Sequence, residues 1–259
     1  MNHPLSGLRV VVTRPKNQAQ ELCNRLRALG ARPIIFPSIA IVPPEAGGPL
    51  DQSIAWLRSY DWIIFTSVNG VEHFWIRLRE VGPSSRTDEV AELFARGRVA
   101  AIGPATAQAL RQRGVSVHLM PTEYRAEAIL DEIGDVTGER ILLPRADIAR
   151  PALADGLRAK GAQVDDVSAY RTVRGEPSAA AFDALRAGVD VVTFTSSSTV
   201  RHFVSLTQGL DFGDPLIACI GPVTAATARE SGLRVDVTAE EYTVDGLLAA
   251  LHTMDRDVA

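Results

Sequence analysis

Ile102-Gly103-Pro104-Ala105-Thr106-Ala107 returns once in the chain, as Ile220-Gly221-Pro222-Val223-Thr224-Ala225. Each copy follows a short apolar run, residues 99–102 and 216–220. Each opens a stretch closed by a glycine, Gly114 or Gly232, at the same distance from the motif's own glycine. The pattern reads as strand, turn, helix, strand, twice over, and a repeat of this kind points to internal duplication. Proline directly after the strand's glycine suits the first helical turn, where its missing N–H is not needed and its fixed φ is already helical. The helix therefore starts at the Gly-Pro step. Its first N–H groups lack an intrahelical acceptor, and a threonine hydroxyl follows one turn in. Such a strand end attracts anions.

Two further units repeat. Arg9-Val10-Val11-Val12-Thr13 reads as a buried strand running into Arg14-Pro15-Lys16 and a helix with Leu22, Leu26 and Leu29 on one face. Its counterpart is Arg140-Ile141-Leu142-Leu143-Pro144-Arg145, with Leu153 and Leu157 on the helix face. Arg14 and Arg145 stand equally far from the glycines that close these helices, Gly30 and Gly161, so they are equivalent positions. Trp62-Ile63-Ile64-Phe65-Thr66-Ser67-Val68-Asn69-Gly70 is matched by Val191-Val192-Thr193-Phe194-Thr195-Ser196-Ser197-Ser198-Thr199. Both are apolar strands that end in Thr-Ser and small polar residues suited to capping a helix. Proline and β-branched residues make 37–44 and 167–176 extended connectors. Residues 83–87 and 209–215 read as surface loops. The pattern predicts ten strands in two five-stranded sheets. Alternation with helices makes these parallel, doubly wound sheets of Rossmann or flavodoxin type. In such sheets ligands gather at the carboxyl ends of the strands.

With 259 residues, 46% of them hydrophobic, the chain is long enough for two cores. A net charge of −4, with no basic run interleaved with aromatics, argues against a nucleic-acid partner. The N-terminal stretch lacks the basic start and apolar run of a signal peptide, and no apolar run approaches a membrane span. Cys23 and Cys219 have neither disulfide-framework nor metal-ligand spacing. A cytoplasmic protein with no membrane partner is expected.

The familiar catalytic patterns are missing: no Gly-x-Gly-x-x-Gly, P-loop, nucleophile elbow or metal-spaced cluster. His73 and His202 are equivalent in the repeat but read as residues of a solvated helix face, and neither is assigned a role. What remains at the strand ends is a set of hydroxyls, amides and guanidinium groups: Arg14, Ser67, Asn69, Thr106, Arg145, Ser196, Ser197 and Thr224. Such a set would bind a polyanion, with arginine gripping carboxylates bidentately. The plainer reading of each serine or threonine is a helix cap, and of each arginine a surface ion pair. Recurrence in both halves is the argument for binding.

Together the Thr-Ser strand ends, the Gly-Pro-x-Thr-Ala turns, the Val-Thr-Arg-Pro start and the Ala-Tyr-Arg-Thr connector resemble uroporphyrinogen-III synthase, over nearly the whole chain. The resemblance implies two α/β domains joined by a two-stranded ladder, with the chain starting in one, crossing to the other and returning. The first would hold residues 1–38 and 172–259, the second 39–171. The repeat alone would have cut the chain once, near Gly138. The resemblance also implies the reaction: hydroxymethylbilane loses its hydroxyl and closes to uroporphyrinogen III with the last ring inverted, with no metal or organic cofactor, in a monomer. By matching position it carries substrate binding to Thr106, Thr224, Ser67, Ser196 and Ser197, and assistance to hydroxyl departure to Tyr170. Asn69 stands at a variable place in that pattern, and Arg14 and Arg145 are added from the repeat alone. The plainer reading of Tyr170 is a connector residue packing its ring. The competing reading of the chain is a non-catalytic two-domain protein that closes on an anionic small molecule. A nucleotide-dependent enzyme would need a phosphate loop that the chain lacks.

Overall fold

The computed structural model describes residues 5–82, 94 and 96–254; the loop expected at 83–87 lies outside them. Two compact units emerge, Met1–Ile41 with Val173–Ala259, and Val42–Thr172. The chain thus starts in one unit, crosses to the other and returns.

The first unit holds β1 (Arg9–Val12), α1 (Lys16–Ala28) and β2 (Arg32–Ile35). After the return it adds α7 (Ala179–Arg186), β8 (Val191–Phe194), α8 (Ser197–Leu206), β9 (Leu216–Cys219), α9 (Pro222–Glu230), β10 (Val237–Thr238) and α10 (Val244–Met254). The second unit holds α2 (Pro49–Ala55), β4 (Trp62–Phe65), α3 (Val68–Val81), β5 (Arg98–Ala101), α4 (Pro104–Arg111), α5 (Ala126–Glu132), β6 (Arg140–Ala146) and α6 (Ala152–Ala159). The two crossings are strands themselves, β3 (Ile39–Val42) and β7 (Gln163–Arg174), neighbours at one end of the second sheet.

Both sheets have five strands, in the orders β10-β9-β8-β1-β2 and β3-β7-β6-β4-β5. The pairs within β10 to β2, and those from β7 to β5, run parallel. The first order is the flavodoxin arrangement, whose ligand edge lies at the switch point between its two central strands, here β1 and β8. The duplication shows in the topology: β9-β8-β1-β2 and β5-β4-β6-β7 are the same four strands in the same order. The place of β10 is reduced in the second sheet to one bridge between Ala100 and Leu119.

Alternation along β1 explains the double winding. Val10 and Val12 join Leu22 and Leu26 of α1 and Leu247 and Leu251 of α10 on one face. Val11 joins Leu185 of α7, Val200 and Phe203 of α8, and Ala225 and Ala228 of α9 on the other. A strand buried on both faces reads as a continuous apolar run. In the second sheet Ile64, Ile141 and Leu143 meet Ile129 of α5 and Leu153 and Leu157 of α6, while Phe65 packs edge-on against Phe74 of α3, 5.4 Å away. Gly30, Gly114, Gly161 and Gly232 all take positive φ after their helices, where a Cβ would cost energy.

Candidate active site

In each unit the Thr-Ser turn and the Gly-Pro turn leave adjacent parallel strands, so they share one sheet edge. Ile102 N–H donates to Phe65 O at 3.0 Å, and Ile220 N–H to Phe194 O at 2.9 Å, tying the paired turns together in the same way. Ser67 caps α3 by accepting from Gly70 N–H at 3.0 Å. Ser196 caps α8 by accepting from Thr199 N–H at 3.2 Å. The helices after the Gly-Pro turns, α4 and α9, have no side-chain cap, so their first N–H groups lack a side-chain acceptor at the cap position. Thr106 and Thr224 sit in those first turns, both buried. Ser197 lies against α9, accepting a hydrogen bond from Thr227 Oγ1 at 2.8 Å, one turn along that helix from Thr224.

Tyr170 reaches the same edge of the second unit through a bulge in β7. Arg145 pairs with Ser168 but Ala146 pairs with Tyr170, so Ala169 is the extra residue and Ala169 and Tyr170 are buried in succession. A bulge re-aims the side chain that follows it. Here it sets the Tyr170 hydroxyl 3.4 Å from Ser67 Oγ, with Asn69 as a second hydrogen-bonding partner. Burial pushes the phenol pKa above its ordinary value and the Asp147 charge adds to this, while Ser67 and Asn69 pull the other way. The phenol therefore keeps its proton throughout the neutral range.

Two expectations are corrected. Arg145 is not available to a ligand: only 5% exposed, it donates through Nε to Asp166 Oδ1 at 2.6 Å and through Nη1 to Arg150 O at 2.6 Å, and Nη2 pairs with the other oxygen of Asp166. The partner comes from the neighbouring strand β7, which the local sequence of β6 does not reveal. Its repeat-mate Arg14 forms no salt bridge among the described residues; burial lowers its pKa, and Glu21 opposes that shift. Arg14 follows β1 and Ser196 follows β8, at the switch point of the first sheet. The second correction is His73. Its ring is half-buried and lies 5.5 Å from that of Tyr170, and burial holds its pKa below the usual histidine value, against the pull of Glu72.

The sequence reading passed over two more groups. Ser38, fully buried, donates to Thr199 O at 2.9 Å and contacts Thr13 O at 3.1 Å. Tyr124 and Tyr242 lie against Gly103 and Gly221. They follow those glycines at equal distances, each after a glutamate, and extending the repeat comparison past the turns would have found them. Among the described residues no three His, Cys, Asp or Glu side chains gather as metal ligands, and no helix is long and apolar enough to cross a membrane.

A family model described as Uroporphyrinogen-III synthase HemD matches residues 20–249. The chain belongs to this family. A uroporphyrinogen-III synthase of Synechococcus elongatus is 36% identical, the alignment covering 98% of this chain and 97% of that one. A protein of Methanothermobacter thermautotrophicus named putative uroporphyrinogen-III synthase is 32% identical over 96% and 100% of the two chains. Among solved structures, a mutant uroporphyrinogen III synthase of Thermus thermophilus aligns over 98% of this chain and all of its own with a TM-score of 0.68 at 19% identity, which speaks for the fold.

Proposed function

We propose that the chain closes hydroxymethylbilane to uroporphyrinogen III, inverting the last pyrrole ring with loss of water. Membership of the uroporphyrinogen-III synthase family carries this reading. The strand ends support it, because a bilane ringed with acetate and propionate arms suits uncapped helix starts flanked by hydroxyls. The reading needs no metal or organic cofactor, since the pyrrole nitrogen supplies the electron pair that expels the hydroxyl. The methylene carbon left behind is electrophilic, and the enzyme's task is to present to it the substituted carbon of the last ring. That is chiefly positioning.

In this reading Ser67, Asn69, Thr106, Ser196, Ser197, Thr224 and Arg14 hold the carboxylate arms, each from its own unit. Tyr170 donates a hydrogen bond to the departing hydroxyl. A buried phenol that keeps its proton is suited to that role, although it is too weak an acid for full proton transfer at neutral pH. The protein works as a cytoplasmic monomer with the bilane as its partner. The two buried cysteines, both free, suit a reducing compartment.

The deciding experiment is incubation with hydroxymethylbilane followed by separation of the product isomers. Spontaneous closure gives the type I isomer, so type III in excess establishes the activity. Type I alone, at the uncatalysed rate, would leave the chain as a binding protein for anionic tetrapyrroles.

A further inference from the structure

Each unit holds one tyrosine across its Gly-Pro turn with most of the side chain in solvent: Tyr124 is 61% exposed and Tyr242 67%. A Cβ on Gly103 would stand 3.3 Å from Tyr124 Cγ, and one on Gly221 2.9 Å from Tyr242 Cδ1. Both glycines are extended, with φ of −169° and 179°, a conformation open to any residue. It is therefore the aromatic ring above them, rather than the backbone, that calls for glycine. The supporting turn is duplicated as well. Arg125 N–H donates to Glu123 O at 2.8 Å, and Thr243 N–H to Glu241 O at 2.8 Å.

Among the described residues both rings are exposed and stand outside the buried core, and neither phenol has a hydrogen-bond partner. Burial thus does not explain why the same aromatic is held at the same place twice. The neighbours are informative. Each ring abuts the residue that precedes an uncapped helix start, and Thr106 or Thr224 lies in the first turn of that helix, 4% or 5% exposed. Neither threonine hydroxyl has a partner among the described residues. A flat apolar face beside uncapped N–H groups and an unpartnered threonine hydroxyl matches a flat heteroaromatic ring that carries a carboxylate arm.

We propose that Tyr124 and Tyr242 are substrate-contacting residues, each taking one pyrrole ring of the bilane against its face while that ring's carboxylate arm meets the helix start of the same unit. This rests on the reading under Proposed function. The contact is van der Waals and quadrupolar, so the ring matters more than its hydroxyl. Gly103 and Gly221 serve it by letting the tyrosine lie close.

The test is equilibrium binding of uroporphyrinogen III under anaerobic conditions, with steady-state kinetics on hydroxymethylbilane alongside. Tyr124→Ala and Tyr242→Ala should each weaken binding and raise KM about five- to fiftyfold, as loss of ring stacking does elsewhere, with kcat changed less than about threefold and melting temperature held. Tyr124→Phe and Tyr242→Phe should stay within about threefold of the parent. Gly221→Ala, which pushes the Tyr242 ring from its seat, should raise KM on its own and have no further effect in the Tyr242→Ala background. Unchanged binding in both alanine variants would overturn the proposal while leaving the synthase reading intact. A parent protein that makes no type III isomer yet binds the tetrapyrrole through these tyrosines would overturn the synthase reading and keep the proposal. Absence of tetrapyrrole binding by the parent would overturn both.

Discussion

The serine at the end of β4 faces a phenol, whereas its repeat-mate at the end of β8 faces other hydroxyls. Ser67 caps α3 and lies 3.4 Å from Tyr170 Oη. Ser196 caps α8, stands 2.9 Å from Ser198 Oγ and sits in a reciprocal capping box with Thr199. Ser38 closes the back of that turn through Thr199 O. The paired turns are tied in the same way in both units, by the hydrogen bond that joins neighbouring strand ends. The connectors are what differ. Ile39 stands as far after Arg14 as Tyr170 does after Arg145, so one crossing brings an aliphatic residue where the other brings a phenol. Duplication has left the same pair of turns in both units, while the matching place on the following connector holds a phenol in one and an aliphatic side chain in the other.

Tyr170→Phe should break this asymmetry most strongly. Turnover should fall about ten- to a thousandfold, the range between a lost hydrogen bond and lost acid assistance, while whatever product forms remains type III. Isomer-resolved kinetics measures both. Near-full rate in this variant, with instability in Tyr170→Ala, would make Tyr170 a packing residue and leave the two turns functionally alike.

The two arginines offer the next contrast. Arg145→Met should cost about 2–4 kcal/mol of folding stability, because it strips Asp166 of its partner and leaves Arg150 O with one donor fewer. Arg14→Met should shift stability by less than about 0.5 kcal/mol and should raise KM instead. Urea unfolding beside steady-state kinetics separates these outcomes, and equal losses of stability would mean that the arginines do the same work.

Thr106→Ala and Thr224→Ala test the part that the units share. Each should lower kcat/KM about ten- to a few hundredfold without abolishing activity, since one hydroxyl donor to an anion is worth about 1.5–3 kcal/mol and the helix N–H groups stay. Complete loss of activity in a folded Thr224→Ala protein would show that the division between the units is drawn wrongly.

The smallest effect is on pH dependence. The pKa of Tyr170 is raised by burial, so the protonated phenol is favoured by the folded state. Its contribution to stability is full below the unfolded value of about 10 and fades as pH rises through the higher folded value. Activity that depends on the phenol proton should hold to about pH 10 and fall above it, and Tyr170→Phe should lack that limb. His73 works in the opposite sense. Its lowered pKa favours the neutral ring, so its contribution is full above the unfolded value of about 6.5 and declines as pH falls below it. His73→Gln should flatten the acid side of a stability profile.

Much of the placing of the candidate site is legible because the repeat is. Ser67, Ser196, Thr106 and Thr224 sit where strand periodicity and the Gly-Pro step put them, and those signals are local. Arg145 misled for the opposite reason: its equivalence to Arg14 is real in the chain, but Asp166 reaches it across the β6–β7 ladder. Helical spacing alone puts His73 on a solvated face, and its contact with Tyr170 depends on where β7 runs beside α3.

The sequence by itself determined the strand-turn-helix units, their duplication and the glycines that end the helices at positive φ. Each of these follows from steric limits on a few consecutive residues. Only the tertiary structure decided which polar groups are spent on the fold and which stay open to a ligand. Arg145 and Ser38 are consumed by partners far along the chain, and Tyr170 is turned toward Ser67 by a bulge that exists only because β6 and β7 pair out of step. Availability of a side chain is settled by its neighbours in space, and a parallel sheet draws those neighbours from strands distant in sequence.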